Sequence, residues 1–167
     1  EIADGQSFPA GAQLVTISGP AAPILTAERI ALNFVQRMSG IATLTAEHVS
    51  RIAGTGARIV DTRKTTPGLR ALEKHAVRSG GGHNHRWSLS DAGMAKDNPL
   101  AGLTQESRIP LAEALREARG RLGHTTHFEV EVDRLDQIEP VLAAGVDSIM
   151  LDNFGLDELR QGVELIA

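Results

Sequence analysis

Short apolar runs alternate with longer amphipathic segments along the chain after residue 56. Three runs are rich in branched residues and have the length of buried strands, and a fourth, AGMAKDN at 92–98, is a weaker candidate. Each run precedes a segment with helical spacing, which predicts βα units and a parallel sheet. The three stronger candidates are ARIVDT (57–62), HFEVEVD (127–133) and VDSIMLDN (146–153).

The helices between and after these strands are predicted to lie together on one face of the sheet, or outside a barrel, because βα crossovers are right-handed. The first of them is predicted to begin at Thr66-Pro67, since Pro is favoured at the first helical position. The other three are PLAEALREARGRL (110–122), RLDQIEPVLAAG (134–145) and GLDELRQGVELIA (155–167).

Residues 25–54 predict two further helices that precede the first strand. Thr26 is a suitable N-cap, and Gly40 predicts a bend or a break between the two helices. Gly54 and Gly56 predict the end of the second helix. The apolar positions that fall at helical spacing are Ile30, Phe34, Met38 and Ile41.

The chain is predicted to be part of a longer protein. Residues 1–23 predict only turns around one short strand at 13–17, which cannot form a core alone. A complete (β/α) barrel needs eight units and about 250 residues. These 167 residues supply four units, so we expect an α/β fold that consists of a partial (β/α) barrel of parallel strands.

Polar residues follow each predicted strand. The carboxyl ends of parallel strands share one edge of a sheet, and (β/α) barrels build their active sites at that edge. Asp152 and Asn153 have an alternative role as caps of the next helix. That role does not suit Arg63, Lys64, Lys96 or Glu131. The four groups are 61–64, 96–98, 129–133 and 152–153.

Composition excludes several classes of function. A net charge of −4, with one Trp, four Phe and no Tyr, argues against general nucleic-acid binding. No apolar run approaches the roughly 18 residues that span a bilayer, so no membrane function is expected. The absence of cysteine excludes disulfides and a Cys nucleophile, and it fits a cytoplasmic location.

Positive charge is concentrated between Arg63 and Arg86, where six Lys or Arg accompany one acid. The glycines at 80–82 match no phosphate-binding loop pattern, and a helix C-terminus is the preferred interpretation. Lys74 and Arg78 are expected mainly to serve that helix end. For His83 and His85 a zinc pair stays open, but hydrogen bonding is favoured because no third ligand stands at conventional spacing.

Acidic and basic groups are both expected in the site. Glu129 and Glu131 are two residues apart, so they face the same side of a strand. Inward-facing carboxylates need cations or a metal. Such a mixed site suits a polyanion bound with Mg²⁺, which takes one or two carboxylates together with phosphate oxygens.

Long motifs in this chain resemble those of the quinolinate phosphoribosyltransferase family (nicotinate-nucleotide pyrophosphorylase, carboxylating) in the same order. The resemblance implies the end of an N-terminal α/β sandwich domain at 1–39 and the first part of an α/β-barrel domain at 40–167. It also implies transfer of phosphoribose from phosphoribosyl pyrophosphate to quinolinate with loss of CO₂. The motifs are LTAERIALNFVQRMSGIAT, DTRKTTPGLRALEKHAVRSGGGHNHR, LSD with KDN, EVEVD and LDNF.

The resemblance also implies roles for individual residues. Quinolinate would be held by Thr62, Arg63, Lys64, His85, Arg86 and Lys96, with Arg29 supplied by the other subunit of a homodimer. The catalytic set would be Lys64, Lys96, Glu131 and Asp152. Glu131 and Asp152 would face the ribose and the Mg²⁺–pyrophosphate, assisted by Asp97, and no organic cofactor is implied.

Three alternatives stay open. Pro99 stands where the family usually has His after KDN, and it puts the geometry around Lys96 in question. One alternative is a related pyrophosphorylase-like protein with a different acceptor, and another is a non-catalytic interaction module. A (β/α) aldolase is a weaker competitor, because Lys64 and Lys96 lie beside other charges rather than in an apolar pocket.

Overall fold

The computed structural model describes residues 2–96 and 109–167. The chain divides into two compact units, residues 1–87 and 88–167. Within the described ranges, no helix combines the length and the apolar character needed to cross a bilayer. The first unit is mainly helical, whereas the second unit contains a parallel sheet with helices.

Helix α1 (Ala21–Arg51) is one continuous helix of 31 residues, so the prediction of two helices is wrong. Gly40 lies inside it on the exposed side, where an added Cβ would meet nothing within 4 Å. A glycine in a helix interior costs only about 1 kcal/mol, which a long helix tolerates. The predicted cap is also wrong, because Pro20 is the N-cap and the Thr26 hydroxyl donates to the Ala22 carbonyl at 2.8 Å.

Two predicted strands in the first unit do not form ladders. At 13–17 no strand is present among the described residues, and the Ile2 amide donates to the Leu14 carbonyl at 3.1 Å. At 57–62 the chain makes one isolated parallel bridge, between Val60 and His83. A strand needs a partner over several residues, and neighbouring segments of this unit offer only that short contact.

Helix α2 (Arg70–Ser79) begins three residues after Pro67, the predicted first helical position. Gly68 has a φ of 77°, and the Leu69 amide donates to the Thr66 carbonyl at 3.0 Å, so this stretch is a turn. The left-handed conformation at Gly68 cannot continue into a helix, which explains the later start.

The glycines at 80–82 end helix α2, as the sequence predicted. Gly81 is left-handed with a φ of 84°, and the Gly82 amide donates to the Val77 carbonyl at 3.0 Å, as in a Schellman motif. Gly80 allows α2 to pack closely on α1, since an added Cβ would lie 2.3 Å from the Ala42 carbonyl oxygen of α1. The glycine run therefore ends α2 and lets its carboxyl end contact α1.

The second unit contains a three-stranded parallel sheet in sequence order. The α/β class and the parallel sheet are confirmed, and the sequential order supports a partial barrel. The strands are β1 (Ala92–Ala95), β2 (His127–Val132) and β3 (Ser148–Leu151). The helices are α3 (Leu111–Gly120), α4 (Ile138–Ala144), which follows a 3₁₀ turn at Leu135–Gln137, and α5 (Leu156–Ile166).

One face of β2 packs into the core of this unit. Phe128, Val130 and Val132 are almost fully buried. They cluster with Leu115 of α3 and with the apolar face of α4. Alternate residues of a strand point to opposite faces, so the other face of the sheet carries the side chains between them. The helices therefore cover one face of the sheet, as the crossover rule predicted.

Asp147 ties the start of β3 to its neighbours. Its carboxylate accepts from the Phe128 amide at 2.8 Å and from the Arg119 guanidinium at 3.1 and 3.2 Å. The amide hydrogen bond, assisted by Arg119, lowers the pKa of Asp147. These contacts lie at the amino-terminal end of the strands, away from their carboxyl ends.

Candidate functional site

The sheet of the second unit presents a polar row on the face opposite the helices. The register pairs Met94 with Glu129 and Glu131 with Met150, so alternate positions of the three strands share this face. At the amino-terminal end of the row, His127 Nε2 lies 2.8 Å from the Ser148 hydroxyl oxygen. The row is Ala92, Met94, Lys96, His127, Glu129, Glu131, Ser148 and Met150, with Asp152 following at its carboxyl end.

Lys96 and Glu131 form an ion pair at the carboxyl end of β1 and β2. The Lys96 ammonium donates to Glu131 Oε2 at 2.5 Å. The Glu131 side chain is 10 % exposed, whereas that of Lys96 is 49 % exposed. The pair places one positive and one negative group at the edge of the sheet where (β/α) barrels bind their substrates.

Asp152 immediately follows β3 and continues the same edge. Its amide donates to the Val132 carbonyl at 2.9 Å, and its Oδ2 accepts from the Asn153 side-chain amide at 2.9 Å. Asn153 has a left-handed φ of 60°, which turns the chain away from the sheet. Neither residue caps α5, because Gly155 is the N-cap and Glu158 accepts from its amide at 3.2 Å. The capping alternative for Asp152 and Asn153 is wrong.

Asp61 is the centre of a polar cluster in the first unit. Its carboxylate accepts from the Lys74 ammonium, from the Asn84 side-chain amide at 2.6 Å and from the His85 backbone amide at 2.8 Å. The side chains of Lys74 and Asp61 are 2 % and 7 % exposed. The expectation that Lys74 serves the helix end is therefore wrong, because the side chain turns inward to a carboxylate.

The predicted quinolinate-binding residues of this unit flank the cluster. Thr62 Oγ1 accepts from the Lys64 amide at 3.0 Å, which shapes the turn that carries Arg63. His85 and Arg86 follow Asn84 on the neighbouring segment. Arg63, His85 and Arg86 are half-buried, whereas Lys64 is exposed. The backbone thus brings the segment at 62–64 beside the segment at 85–86.

The remaining predicted residues stand elsewhere along the chain. Arg29 lies on the exposed amino-terminal half of α1. Asp97 and Pro99 lie outside the described residues. Lys96, Glu131 and Asp152 belong to the second unit, and the cation-bearing segments belong to the first.

Sequence reasoning missed the residues that hold these segments in place. Arg70 and Lys74 are four apart on α2, so they lie on one side of that helix. Arg70 donates to the carbonyls of Arg63 and Trp87, both at 3.2 Å, and to the Thr65 hydroxyl at 3.2 Å. The i, i+4 spacing in the sequence indicates that the two cations share one side of the helix. It does not show whether that side is buried against other segments or exposed to solvent.

Glu73 joins α1, α2 and the turn between them. Its carboxylate accepts from Arg37 at 2.7 Å and from the Thr66 amide at 3.1 Å. Burial raises the pKa of Glu73, but the hydrogen bonds from Thr66 and Arg37 outweigh burial, and the pKa lies below its ordinary value. Glu73 is therefore ionised in the folded protein and anchors the turn before α2.

The two carboxylates proposed for a metal are Glu131, which pairs with Lys96, and Asp152, which accepts from the Asn153 side-chain amide. Within residues 2–96 and 109–167, no group of three or more His, Cys, Asp or Glu is arranged to hold a metal ion. Glu131 and Asp152 at the strand ends fit a divalent cation that arrives with phosphate oxygens, because Mg²⁺ needs only one or two carboxylates from the protein.

The fold and the charged residues at the strand ends define the structural class of the second unit. Consecutive parallel strands covered by helices, with charged side chains at the carboxyl edge, are typical of (β/α)-barrel domains. Family models match the chain over two stretches. These are "Quinolinate phosphoribosyl transferase, N-terminal domain" at residues 1–39 and "Quinolinate phosphoribosyl transferase, C-terminal domain" at residues 41–167. The chain belongs to the quinolinate phosphoribosyl transferase family.

Curated relatives agree with the family models. A probable nicotinate-nucleotide pyrophosphorylase [carboxylating] of Bacillus subtilis is 45 % identical over 162 residues, which are 97 % of this chain and 54 % of that protein. The nicotinate-nucleotide pyrophosphorylase [carboxylating] of Mycobacterium leprae is 44 % identical over 98 % of this chain and 55 % of that protein. The chain therefore spans about half the length of the curated relatives it matches.

Solved structures give the same result. NadC from Streptococcus pyogenes has a TM-score of 0.88 and 44 % identity, and the match covers 99 % of this chain and 56 % of that one. The nicotinate-nucleotide pyrophosphorylase from Francisella tularensis has a TM-score of 0.85 and 40 % identity, over 98 % of this chain and 55 % of that one. The recognition of the family from its motifs is confirmed.

Proposed function

We propose that the natural full-length protein transfers the phosphoribosyl group of phosphoribosyl pyrophosphate to quinolinate. Pyrophosphate and CO₂ leave, and nicotinate mononucleotide forms, so the reaction belongs to NAD biosynthesis. The observation that carries the proposal is the Lys96–Glu131 pair at the carboxyl end of the sheet in a chain of this family. The names of the relatives from B. subtilis and M. leprae support the same reaction.

The acids of the second unit are proposed to act on the ribose. As pyrophosphate departs, C1 of the ribose gains oxocarbenium character, and fixed carboxylates stabilise that charge. Glu131 is buried and held by Lys96, so it needs little reorganisation when the charge develops. Asp152 is proposed to contact the same ribose, since it follows the adjacent strand at the same edge of the sheet.

The cations of the first unit are proposed to bind the two carboxylates of quinolinate. Planar guanidinium groups form paired hydrogen bonds with carboxylates, and Lys adds a point charge. Arg63 and Lys64 stand on one segment and His85 and Arg86 on its neighbour, which gives two sets of donors for two carboxylates. Thr62 is proposed to contact a carboxylate, and Lys96 to serve as a further catalytic and binding cation.

The bond changes follow from the substrate. The pyridine nitrogen attacks C1 while its ring is held by the clamped carboxylates. The ring nitrogen is then cationic, so loss of the adjacent carboxylate as CO₂ leaves a carbanion stabilised by that charge. The carbanion takes up a proton. No organic cofactor is needed, and we propose that none is used.

Mg²⁺ is proposed to accompany phosphoribosyl pyrophosphate. Glu131 and Asp152 would hold it, assisted by Asp97, and its chemistry is to neutralise charge on the departing pyrophosphate. The protein's own contribution is to fix the two carboxylates at the strand ends. A cytoplasmic location is proposed, and the absence of cysteine supports it.

A homodimer with shared sites is proposed, in which Arg29 reaches the site of the other subunit. Helix α1 supports this because its large apolar side chains are unusually exposed near Arg29. Arg29→Ala and Glu131→Gln subunits, each inactive alone, should recover about a quarter of the native activity when mixed, because a heterodimer restores one intact site. No recovery would refute the sharing. The exposed side chains are Leu25 (71 %), Ile30 (61 %), Val35 (47 %) and Phe34 (40 %).

The function is tested by incubating the full-length protein with quinolinate, phosphoribosyl pyrophosphate and Mg²⁺. Nicotinate mononucleotide, pyrophosphate and CO₂ should appear in equal amounts, and chelation of Mg²⁺ should stop the reaction. Nicotinate and nicotinamide serve as control acceptors, since nicotinate has only one carboxylate and nicotinamide has none. Product with a control acceptor but not with quinolinate would indicate the different-acceptor relative, and no product with any acceptor would refute the proposal.

A further inference from the structure

We propose that Asp61, Lys74 and Asn84 form a positioning cluster that sets the spacing of the dicarboxylate-binding segments. Lys74 is the positioning residue of the cluster, and it acts through Asp61 and His85 without touching the substrate. The inference rests on the proposed function, because it assigns the segments at 62–64 and 85–86 to quinolinate.

Burial shows that Lys74 is not a surface cation. Its side chain is 2 % exposed and faces a carboxylate that is 7 % exposed. A buried ion pair contributes little to stability compared with apolar residues of the same volume, but removal of one partner leaves a costly unpaired charge. A pair of this kind is therefore better explained by the geometry it imposes than by the stability it adds.

The cluster contacts both segments at once. Asp61 immediately precedes the first segment, and its carboxylate accepts from the His85 amide at 2.8 Å and from the Asn84 side chain at 2.6 Å. Asn84 also donates to the Lys74 carbonyl at 3.0 Å, and the Lys74 ammonium lies 3.4 Å from the His85 carbonyl oxygen. One buried cation thus fixes the backbone immediately before the substrate-binding residues of both segments.

Backbone pairing cannot do this alone. Among the described residues, the stretches that lead into the two segments share one isolated bridge, between Val60 and His83. Beyond that bridge, side chains make the connections, namely the Asp61 carboxylate with its donors and two cations of α2. Arg70, one turn before Lys74, links the carbonyls of Arg63 and Trp87. Helix α2 therefore acts as the scaffold on which the two segments are aligned.

The decisive variant is Lys74→Met, which keeps the length of the side chain and removes the ammonium. In the full-length protein we expect the KM for quinolinate to rise at least tenfold, whereas the KM for phosphoribosyl pyrophosphate stays within twofold. Amide hydrogen exchange should accelerate in the peptide that contains 83–87. The matched control is Arg78→Gln, which removes a cation from the exposed face of the same helix and should change none of these values.

A double variant, Asp61→Asn with Lys74→Met, separates positioning from stability. It removes both buried charges, so thermal stability should recover toward the native value while the KM for quinolinate stays raised. If Lys74→Met does not fold, the double variant carries the test. A quinolinate KM that returns to normal together with stability, or a similar change in both KM values, overturns the proposal.

Failure of the proposed function is recognised separately. If the native protein forms no product, titration calorimetry with pyridine-2,3-dicarboxylate still compares the native protein with Lys74→Met and Arg78→Gln. Binding that is lost in Lys74→Met and kept in Arg78→Gln supports the positioning role. Equal binding by all three proteins, or binding by none, overturns it.

Discussion

Lys96 directly follows β1, Glu131 lies on the neighbouring parallel strand β2, and the Lys96 ammonium donates to Glu131 Oε2 at 2.5 Å. The pairing follows from register, because Met94 lies beside Glu129, and each of the two charged residues stands two positions further along the chain. Two residues that are 35 apart in sequence are thereby fixed at one edge of the sheet.

The Glu131→Gln variant should separate catalysis from stability. Loss of the carboxylate removes charge stabilisation at the ribose, so kcat should fall by about 10²–10³. The free energy of unfolding should change by no more than about 1 kcal/mol, because Lys96 remains half-exposed to water. Steady-state kinetics and urea unfolding measure the two quantities.

The control for that variant is Asp157→Asn, which removes an acid whose ion pair with Arg160 is exposed. It should leave kcat unchanged. Native activity in Glu131→Gln would contradict the assignment of this edge as the catalytic one.

Arg63→Ala and Lys64→Ala test the dicarboxylate-binding cations. Each should lower kcat/KM for quinolinate by an amount equivalent to roughly 2–5 kcal/mol, because one partner of a desolvated charge pair is lost. Arg58→Ala serves as a control, since Arg58 is exposed and stands before the segment. An unchanged kcat/KM in both variants would reject the assignment.

Glu73 gives a prediction for pH dependence. Its pKa in the folded protein lies below the ordinary value of 4.5, so ionised Glu73 stabilises the fold above that pH, and the contribution is lost as the pH falls through the lowered pKa. Glu73→Gln should therefore be less stable than the native protein at pH 7, with the difference shrinking below pH 4.5.

Urea unfolding between pH 7 and pH 3 measures this difference. Glu47→Gln is the matched control, because the pair of Glu47 with Arg51 on α1 is exposed, and it should have little effect at any pH. A difference between native and Glu73→Gln protein that grows on acidification would contradict the sign of the shift.

Two glycines should respond oppositely to alanine. Gly40→Ala should stabilise the protein by roughly 0.5–1 kcal/mol, because it lies inside a continuous helix with open space around an added Cβ. Gly80→Ala should destabilise it by about 1–3 kcal/mol, since the new Cβ would meet the Ala42 carbonyl oxygen at 2.3 Å. Thermal unfolding measures both changes. Equal changes in stability for the two variants would contradict the close approach of Gly80 to α1.

The local sequence pattern was sufficient to predict much of the secondary structure of the second unit. β2 was predicted at 127–133 and lies at His127–Val132, because its branched residues are buried on one face and its acids alternate with them. The same alternation placed Glu129 and Glu131 together. Prediction failed where a feature depended on distant partners, as at 57–62, where only one bridge forms.

The sequence by itself determined the family, the parallel βα order of the second unit and the types of charged residue at the strand ends. These follow from periodicity and from contiguous motifs, which are local properties of the chain. Only the tertiary structure decided that Gly40 does not break α1 and that Lys74 is buried. Both depend on what surrounds a residue, since packing sets the space around a glycine and a distant carboxylate decides where a lysine side chain turns.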